Sequence, residues 1–508
     1  MNPHLLILPI LLPLVSALGL LLTGQANLAW QRRVSLLATL ALVGLTAWLL
    51  WLSDDGQIRF YALGDWPAPF GIVLMLDRLA ALMLALTAVL ALGCVLFASA
   101  GEDGQGSFFH GLFQLQLMGL NGAFLTGDLF NLFVFFEILL LASYALLMHG
   151  SDKPRVAAGL HYVVLNLVGS ALFLVALGTL YGATGTLNMA DMARRLGELP
   201  EDRQVLAGAG ALLLIVVFSL KAAALPLYFW LPSTYAAAPA PVAALFAIMT
   251  KVGLYAILRV ESLIFGAGPG AALIQGWLWW MGLATLALAV IGALGARDLR
   301  VLAAYLVLAS AGILLASAGL DTPQADAALL YYLVHSTLIT GALFLLAELI
   351  GIQRGKAGTR LVRARRLRQG TLLGWLFLVA AVAAIGLPPL SGALAKLWLL
   401  QAVDAAARPW FWSLLLLATL GVLIALSRAG SVLFWASHKG DTSGSRVQPL
   451  QLAGVLCLLA GAPLLALFAA PMAEFTLATA DQLATPQRVL GALFGEPTAL
   501  ALQREETP

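Results

Sequence analysis

The chain has 508 residues, 61% of them hydrophobic and only 10% charged, with mean hydropathy +0.94. Soluble domains carry about 25% charged residues, so the composition excludes a soluble globular protein and predicts an all-α polytopic membrane protein. A net charge of +3 is too small to point to nucleic acid, and Cys94 and Cys457, both in apolar runs, read as core residues rather than a disulfide or metal pair.

A spanning helix needs about 20 apolar residues. Fourteen segments qualify, at approximately 3–23, 34–52, 71–98, 110–126, 129–149, 157–182, 205–231, 238–260, 271–295, 300–319, 326–352, 371–400, 410–434 and 449–469. The first is read as a retained span, because its early charge is weak and no clear small-residue cleavage site precedes a mature domain. Asp77 and Arg78, opening the third, read as an interfacial pair. The fourth and fifth are joined only by Thr126, Gly127 and Asp128, with Asp128 as the expected N-cap of the fifth. Residues 183–204, containing DMARRLGELPEDR, predict a short amphipathic helix at the interface. Residues 354–368 form a basic loop whose plainest role is a topology anchor. The tail after about residue 470 is expected to cap the outer face or pack on a neighbour.

Charge asymmetry sets the orientation. With the N-terminus outside, the inner loops carry 16 Lys and Arg: Arg32, Arg33, Lys153, Arg155, Arg297, Arg300, seven between 354 and 368, Arg428, Lys439 and Arg446. The outer segments, including Arg259 and Arg504, carry 8. Positive residues favour the inner side, so both termini are expected outside and the helix count even.

Lys221, Lys251 and Lys396 lie inside these apolar stretches, where a charge costs roughly 3 kcal/mol on insertion scales. In the seventh, Lys221 precedes Pro226 by five residues. In the twelfth, Pro388, Pro389 and Gly392 precede Lys396. Proline inside a helix removes a hydrogen bond and clashes with the preceding turn, and backbone freed in lipid must be satisfied by neighbours or water. Each site therefore predicts a broken helix lining a hydrated cavity. Two such helices five apart predict a five-helix repeat, helices 4–8 and 9–13, and an odd repeat forces the two units to be inverted. Glu137, in the fifth helix, is expected to pair with Lys221; the alternative is a purely structural ion pair. Lys251 and His335 continue a chain of groups that can release and regain a proton. Thr250, Ser336 and Thr337 could hold bridging waters or simply join helices. His161 and Glu348, near the inner face, are weaker candidates.

No Cys/His cluster or Gly-rich phosphate loop is present, so no cofactor or metal site is expected. The chain reads as one membrane domain, 1–508. It divides into N-terminal helices (1–109), a first repeat (110–260), a second repeat (271–434), and helix 14 with its tail (449–508).

The stretch SLKAAALPLYFWLPSTYAAAPAPVAALFAIMTKVGLYAILR, with LPPLSGALAKLWLL and FFEILLLASYALL, resembles the antiporter-like subunits of the complex I superfamily. Within it, the likeness is closest to the D subunits of the Mrp (Mnh, Pha) multisubunit cation/proton antiporters, and it covers nearly the whole chain. The resemblance implies fourteen helices with two inverted five-helix repeats among them. It implies Glu137 and Lys221 as a gating pair, Lys251, His335 and Lys396 as the onward track, and partners of A, B, C, E, F and G type. Complex I relatives often carry a histidine after the seventh-helix break, and some carry glutamate in the twelfth helix. Here the first is absent and the second is Lys396, which favours the antiporter branch.

The expected function is proton translocation within a Na⁺ or K⁺/H⁺ antiporter of a bacterial inner membrane, in contact with membrane lipid and without enzyme activity. The exported cation is not expected to bind here, because hard cations want several oxygen ligands. The alternative is a proton-pumping subunit of NADH–quinone oxidoreductase or of a membrane-bound hydrogenase. A lipid- or sugar-processing enzyme would need a carboxylate pair or metal site near a membrane face, and none is visible. A purely structural scaffold leaves the three buried lysines unexplained.

Overall fold

The computed structural model describes residues 3–23, 27–150, 152–266, 270–435, 437–438 and 445–495. Lys439 and Arg504, counted above for orientation, lie outside these.

Helices α1 (Leu8–Leu22) and α2 (Leu28–Ser53) lead into an antiparallel hairpin, β1 (Arg59–Ala62) with β2 (Val73–Leu76). The hairpin corrects the sequence reading, which started the third helix at 71. Asp77 accepts a hydrogen bond from the Ala80 amide at 2.8 Å, and this N-cap starts α3 (Arg78–Ala98) after the strand. Helices α4 (Phe109–Leu125) and α5 (Leu129–Leu147) are separate, as expected. Asp128 caps α5 through the Asn131 amide (2.8 Å), and the Gly127 amide donates to the Val73 carbonyl (2.8 Å), tying this turn to β2.

Helix α6 (Lys153–Thr184) is followed by the amphipathic α7 (Met189–Leu196), whose buried Asp191 pairs with Arg194 and Arg195. The predicted seventh span is two pieces, α8 (Glu201–Lys221) and α9 (Trp230–Ala237). The eighth is α10 (Ala240–Phe246) and α11 (Met249–Val260), extended by a π turn at Glu261–Phe265. Then come α12 (Ala271–Gly295), α13 (Leu299–Ala318) and α14 (Pro323–Gln353). The predicted twelfth is again two pieces, α15 (Gly370–Ile385) and α16 (Ser391–Ala402), before α17 (Arg408–Gly430). The last predicted span is α18 (Pro449–Leu459) and α19 (Gly461–Leu467); the tail is helical, α20 (Ala469–Leu483) and α21 (Gln487–Phe494).

Among the described residues, twelve segments are long and apolar enough to cross a membrane. Burial ranks them. The α10–α11 segment is buried over 100% of its apolar window and α14 over 94%, whereas α1 and α2 are buried over 33%. A helix apolar all round sits in the middle of a bundle, so α11 and α14 form its axis; they carry Lys251 and His335. The outer helices present Leu18, Leu37, Trp51, Leu167 and Leu417 outward, a surface suited to lipid.

Close packing at the breaks depends on glycine. A Cβ on Gly392 would lie 2.2 Å from the Ala383 carbonyl oxygen and 2.9 Å from His335 Nε2. One on Gly253 would lie 2.5 Å from the Ala222 amide nitrogen. Gly276, on the outer face of α12, has nothing within 4 Å. Gly392→Ala and Gly253→Ala are each expected to lower the thermal stability of the purified protein by roughly 1–3 kcal/mol, the usual range for overpacking. Gly276→Ala should be neutral or slightly stabilising. Thermal unfolding followed by tryptophan fluorescence, with equal midpoints for all three, would refute this packing.

Candidate functional site

The first break begins where α8 ends at Lys221. Pro226 denies the chain an amide donor, and Ala223 takes a left-handed conformation (φ +59°) that costs about 1–2 kcal/mol for a residue with a Cβ. The freed groups are satisfied from inside. The Leu225 amide donates to Thr285 Oγ1 on α12 (2.8 Å), and Trp230 Nε1 donates to the Leu220 carbonyl (3.2 Å).

Lys221 itself points toward α6. Its Nζ donates to Asn166 Oδ1 at 3.0 Å, and Asn166 is held by its own bond to the Tyr162 carbonyl (2.9 Å). One turn further along α6, Ser170 Oγ donates to Glu137 Oε1. Lys221 and Glu137 therefore make no direct salt bridge, contrary to the pairing expected from sequence. Asn166 and Ser170, spaced i and i+4 on one face of α6, each hold one of the two charged side chains. Polar residues at helical spacing in an otherwise apolar stretch, here NLVGS, are the signal that could have found them.

Lys251 on α11 is fully enclosed, and its Nζ donates to Ser310 Oγ of α13 at 2.9 Å. The Ser310 hydroxyl in turn donates to the Val307 carbonyl (2.7 Å).

The second break is built around Lys396 and His335. Helix α15 ends at Gly386, left-handed with φ +84°, and α16 starts at Ser391 after Pro388 and Pro389. An ending helix leaves carbonyls without intrahelical partners and a partial negative charge. Lys396 Nζ answers both, donating to the Ile385 carbonyl (2.7 Å) and to Thr419 Oγ1 on α17 (2.9 Å). From α14, His335 Nδ1 is 2.8 Å from Ser391 Oγ at the start of α16.

Ser310, His335, Ser336, Thr340, Lys396 and Thr419 share the wall of one cavity of about 30 Å³ between α13, α14, α16 and α17. A water needs roughly 10–15 Å³ of such space and two to four polar partners, so this cavity has room for about two. It joins Lys251, through Ser310, to His335 and Lys396. The remaining candidates are scattered. Thr337 bonds its own helix at the Leu333 carbonyl (2.7 Å), and Thr250 is buried with its hydroxyl unpartnered. His161 lies exposed on α6. Glu348 forms an ion pair with Arg300.

Other buried charges lie outside the sequence candidates. Asp77 pairs with Arg259 at 2.5 and 2.9 Å, and Arg259 also donates to Tyr255 Oη. This corrects two readings: Asp77 does not pair with Arg78, which instead donates to the Asp54 carbonyl (2.6 Å), and Arg259 is buried rather than a free loop charge. Asp103, before α4, bonds both Arg32 (2.7 Å) and His110 (2.9 Å). Burial alone would raise its carboxyl, but Arg32 and His110 hold it below the usual range. Neighbouring Glu102 is pushed up to about 7 by burial and by the charge of Glu348. Among the described residues no group of three His, Cys, Asp or Glu is arranged to hold a metal ion, and both cysteines are free.

Residues 126–422, more than half of the chain and both breaks with it, match the family described as NADH:quinone oxidoreductase/Mrp antiporter, TM. The chain belongs to this family. It is 44% identical to the D subunit of a probable K(+)/H(+) antiporter of Rhizobium meliloti (strain 1021), over 96% of this chain and 98% of that one. It is 39% identical to the D subunit of a Na(+)/H(+) antiporter of Bacillus subtilis (strain 168), over 85% and 87%. Among solved structures, it is similar to a chain of the Mrp complex from Dietzia sp. DQ12-45-1b (TM-score 0.89, 25% identity, 97% of this chain and 100% of that one). A chain of respiratory complex I from Thermus thermophilus matches with a TM-score of 0.81 at 25% identity, over 95% and 99%.

The Asp77–Arg259 pair gives a stability prediction. Asp77→Ala leaves Arg259 buried and unpaired, and removing one partner of a buried pair costs about 3–5 kcal/mol. Thermal unfolding should show this loss, and Asp77→Ala with Arg259→Met should recover part of it. A single substitution without effect would mean that the pair is not buried in the membrane.

Proposed function

We propose that this chain is the D-type, proton-translocating subunit of a multisubunit Na⁺ or K⁺/H⁺ antiporter. The observation that carries this reading is the shared cavity that brings Ser310, with Lys251 behind it, together with His335 and Lys396. The names of the relatives supply the transported ions, and the assembly is completed by A, B, C, E, F and G type partners. Relatives 44% and 39% identical over most of this chain carry antiporter names, and this favours the antiporter over the redox-driven alternative.

In this reading the chain crosses a bacterial inner membrane fourteen times, with both termini outside. The twelve long segments are joined by α4, at 17 residues just short of them, and by α15 with α16, which cross as one broken helix. Crossings 4–8 and 9–13 then form two inverted repeats, each with its broken helix in the fourth place.

Chemically, the groups of the track that can gain and lose a proton are Glu137, Lys221, Lys251, His335 and Lys396. Glu137 and Lys221 are held by neighbouring residues of α6, Ser170 and Asn166, so a proton arriving on one changes the field felt by the other. A charge moved in a low-dielectric interior acts strongly on its neighbours, because there is little solvent to screen it. Lys251 reaches Ser310 at 2.9 Å, and Ser310, His335 and Lys396 line one water-sized cavity, so waters entering it would complete a relay among them. The cavity's hydroxyl oxygens share its wall with Lys396 and with no carboxylate, a setting that disfavours a hard cation, so the cation is read as exchanging elsewhere in the assembly.

Glu137→Ala and Lys221→Ala should each abolish cation-dependent dissipation of a pH gradient in everted vesicles, while the subunit still co-purifies with its partners. Asn166→Leu should weaken exchange severely with both charges in place. Normal exchange by the assembled Glu137 or Lys221 variant would remove the gating role.

A further inference from the structure

A groove of about 940 Å³ runs along the outer side of α15, between it and α17. Its walls are apolar, from Trp375, Leu378, Val382 and Leu387 on one side to Leu423 and Phe434 on the other. At one end are Arg366, Thr371, Ser427 and Ser431; at the other is Ile385. The α15 helix has 16 residues, about 24 Å at 1.5 Å per residue. Half the hydrocarbon core is about 15 Å. The groove thus reaches from the level of the basic loop past the depth of a single leaflet's tails.

Both ends have matching chemistry. Arg363, Arg365, Arg366 and Arg368 are exposed, and residues 354–368 contain no acidic side chain. Arg366, at the groove mouth, has no carboxylate partner among the described residues. Trp375 and Trp435 stand exposed beside it, 65% and 80%, as aromatic residues do at headgroup level. Polybasic segments attract anionic headgroups of the inner leaflet. At the deep end, Ile385 lines the groove while its neighbour Ala384 lines the water-sized cavity, and the Ile385 carbonyl is the one Lys396 holds. The width of one helix separates lipid from cavity.

We propose that this groove binds an anionic phospholipid of the inner leaflet, its phosphate against Arg366 and its acyl chains along α15. The chains supply a hydrocarbon wall at the second break and keep the cavity from opening sideways. This sealing role rests on the proton-track reading above; the binding itself does not.

The test uses the whole assembly, purified in mild detergent and passed through mixed vesicles of phosphatidylglycerol, cardiolipin and phosphatidylcholine. Retained lipid is counted by mass spectrometry. A photoreactive residue at Leu378 reports what occupies the groove. The expected result is an anionic phospholipid adduct, with retention reduced about fivefold or more by Arg366→Glu. Gly374→Trp should reduce it similarly, because Gly374 lines the groove and a Cβ there would lie 3.6 Å from the Phe434 ring, so an indole would fill the groove. Unchanged retention in both variants overturns the proposal, as does equal retention of phosphatidylcholine. A crosslink to another subunit's polypeptide also overturns it and assigns the groove to a protein helix. Loss of the lipid in Gly374→Trp with unaltered exchange would keep the site and remove the sealing role.

Discussion

Hydrocarbon offers no hydrogen bonds, so each peptide group released by a break in a spanning helix must find a partner within the protein. This one constraint organises the centre of the molecule. At the first break the partners are Thr285 and Trp230, and at the second it is Lys396, while His335 holds the Ser391 side chain where α16 begins. At the second break the group that repairs the backbone also belongs to the candidate track. In the proposed track Lys396 would thus have two roles, because its ammonium also caps the end of α15.

The two breaks are not copies. Lys221 lies before its break and reaches sideways to α6, whereas Lys396 lies after its break and reaches back across it. The first therefore couples to Glu137 through a neighbouring helix, and the second is enclosed with His335 in a water-sized cavity. Between them, α11 touches the end of α8 so closely that Gly253 cannot carry a Cβ, and two residues earlier α11 presents Lys251. The axis of the bundle is thus also the middle of the track.

Much of this was legible in the chain. Apolar length located nearly every span, because in lipid the helix is forced by backbone satisfaction and needs no amphipathic pattern. Proline with lysine marked both breaks, since each is costly alone and their coincidence needs a cause. What escaped was set by tertiary packing. The β1–β2 hairpin hid in Val73–Leu76, an apolar run that reads as part of a helix although the helix begins only at the Asp77 cap. Asp77 chose Arg259, 182 residues away, over the adjacent Arg78, because the bundle brings α3 and α11 together and only there are both charges fully enclosed. Likewise Asn166, Ser170, Ser310 and Thr419 are ordinary polar residues in sequence, and only helix packing sets them against Lys221, Glu137, Lys251 and Lys396.

The central claim is that protons pass through the water-sized cavity joining Ser310, His335 and Lys396. The most direct test leaves every ionisable group intact and removes the space. Ala418, on the cavity wall, is replaced by valine, and proton-coupled cation exchange is measured in everted vesicles containing a verified assembly. If the waters carry the proton, exchange falls to the background of vesicles lacking the subunit while partner content is unchanged. Exchange at the unmodified rate, with the subunit assembled and the cavity filled, would contradict the account.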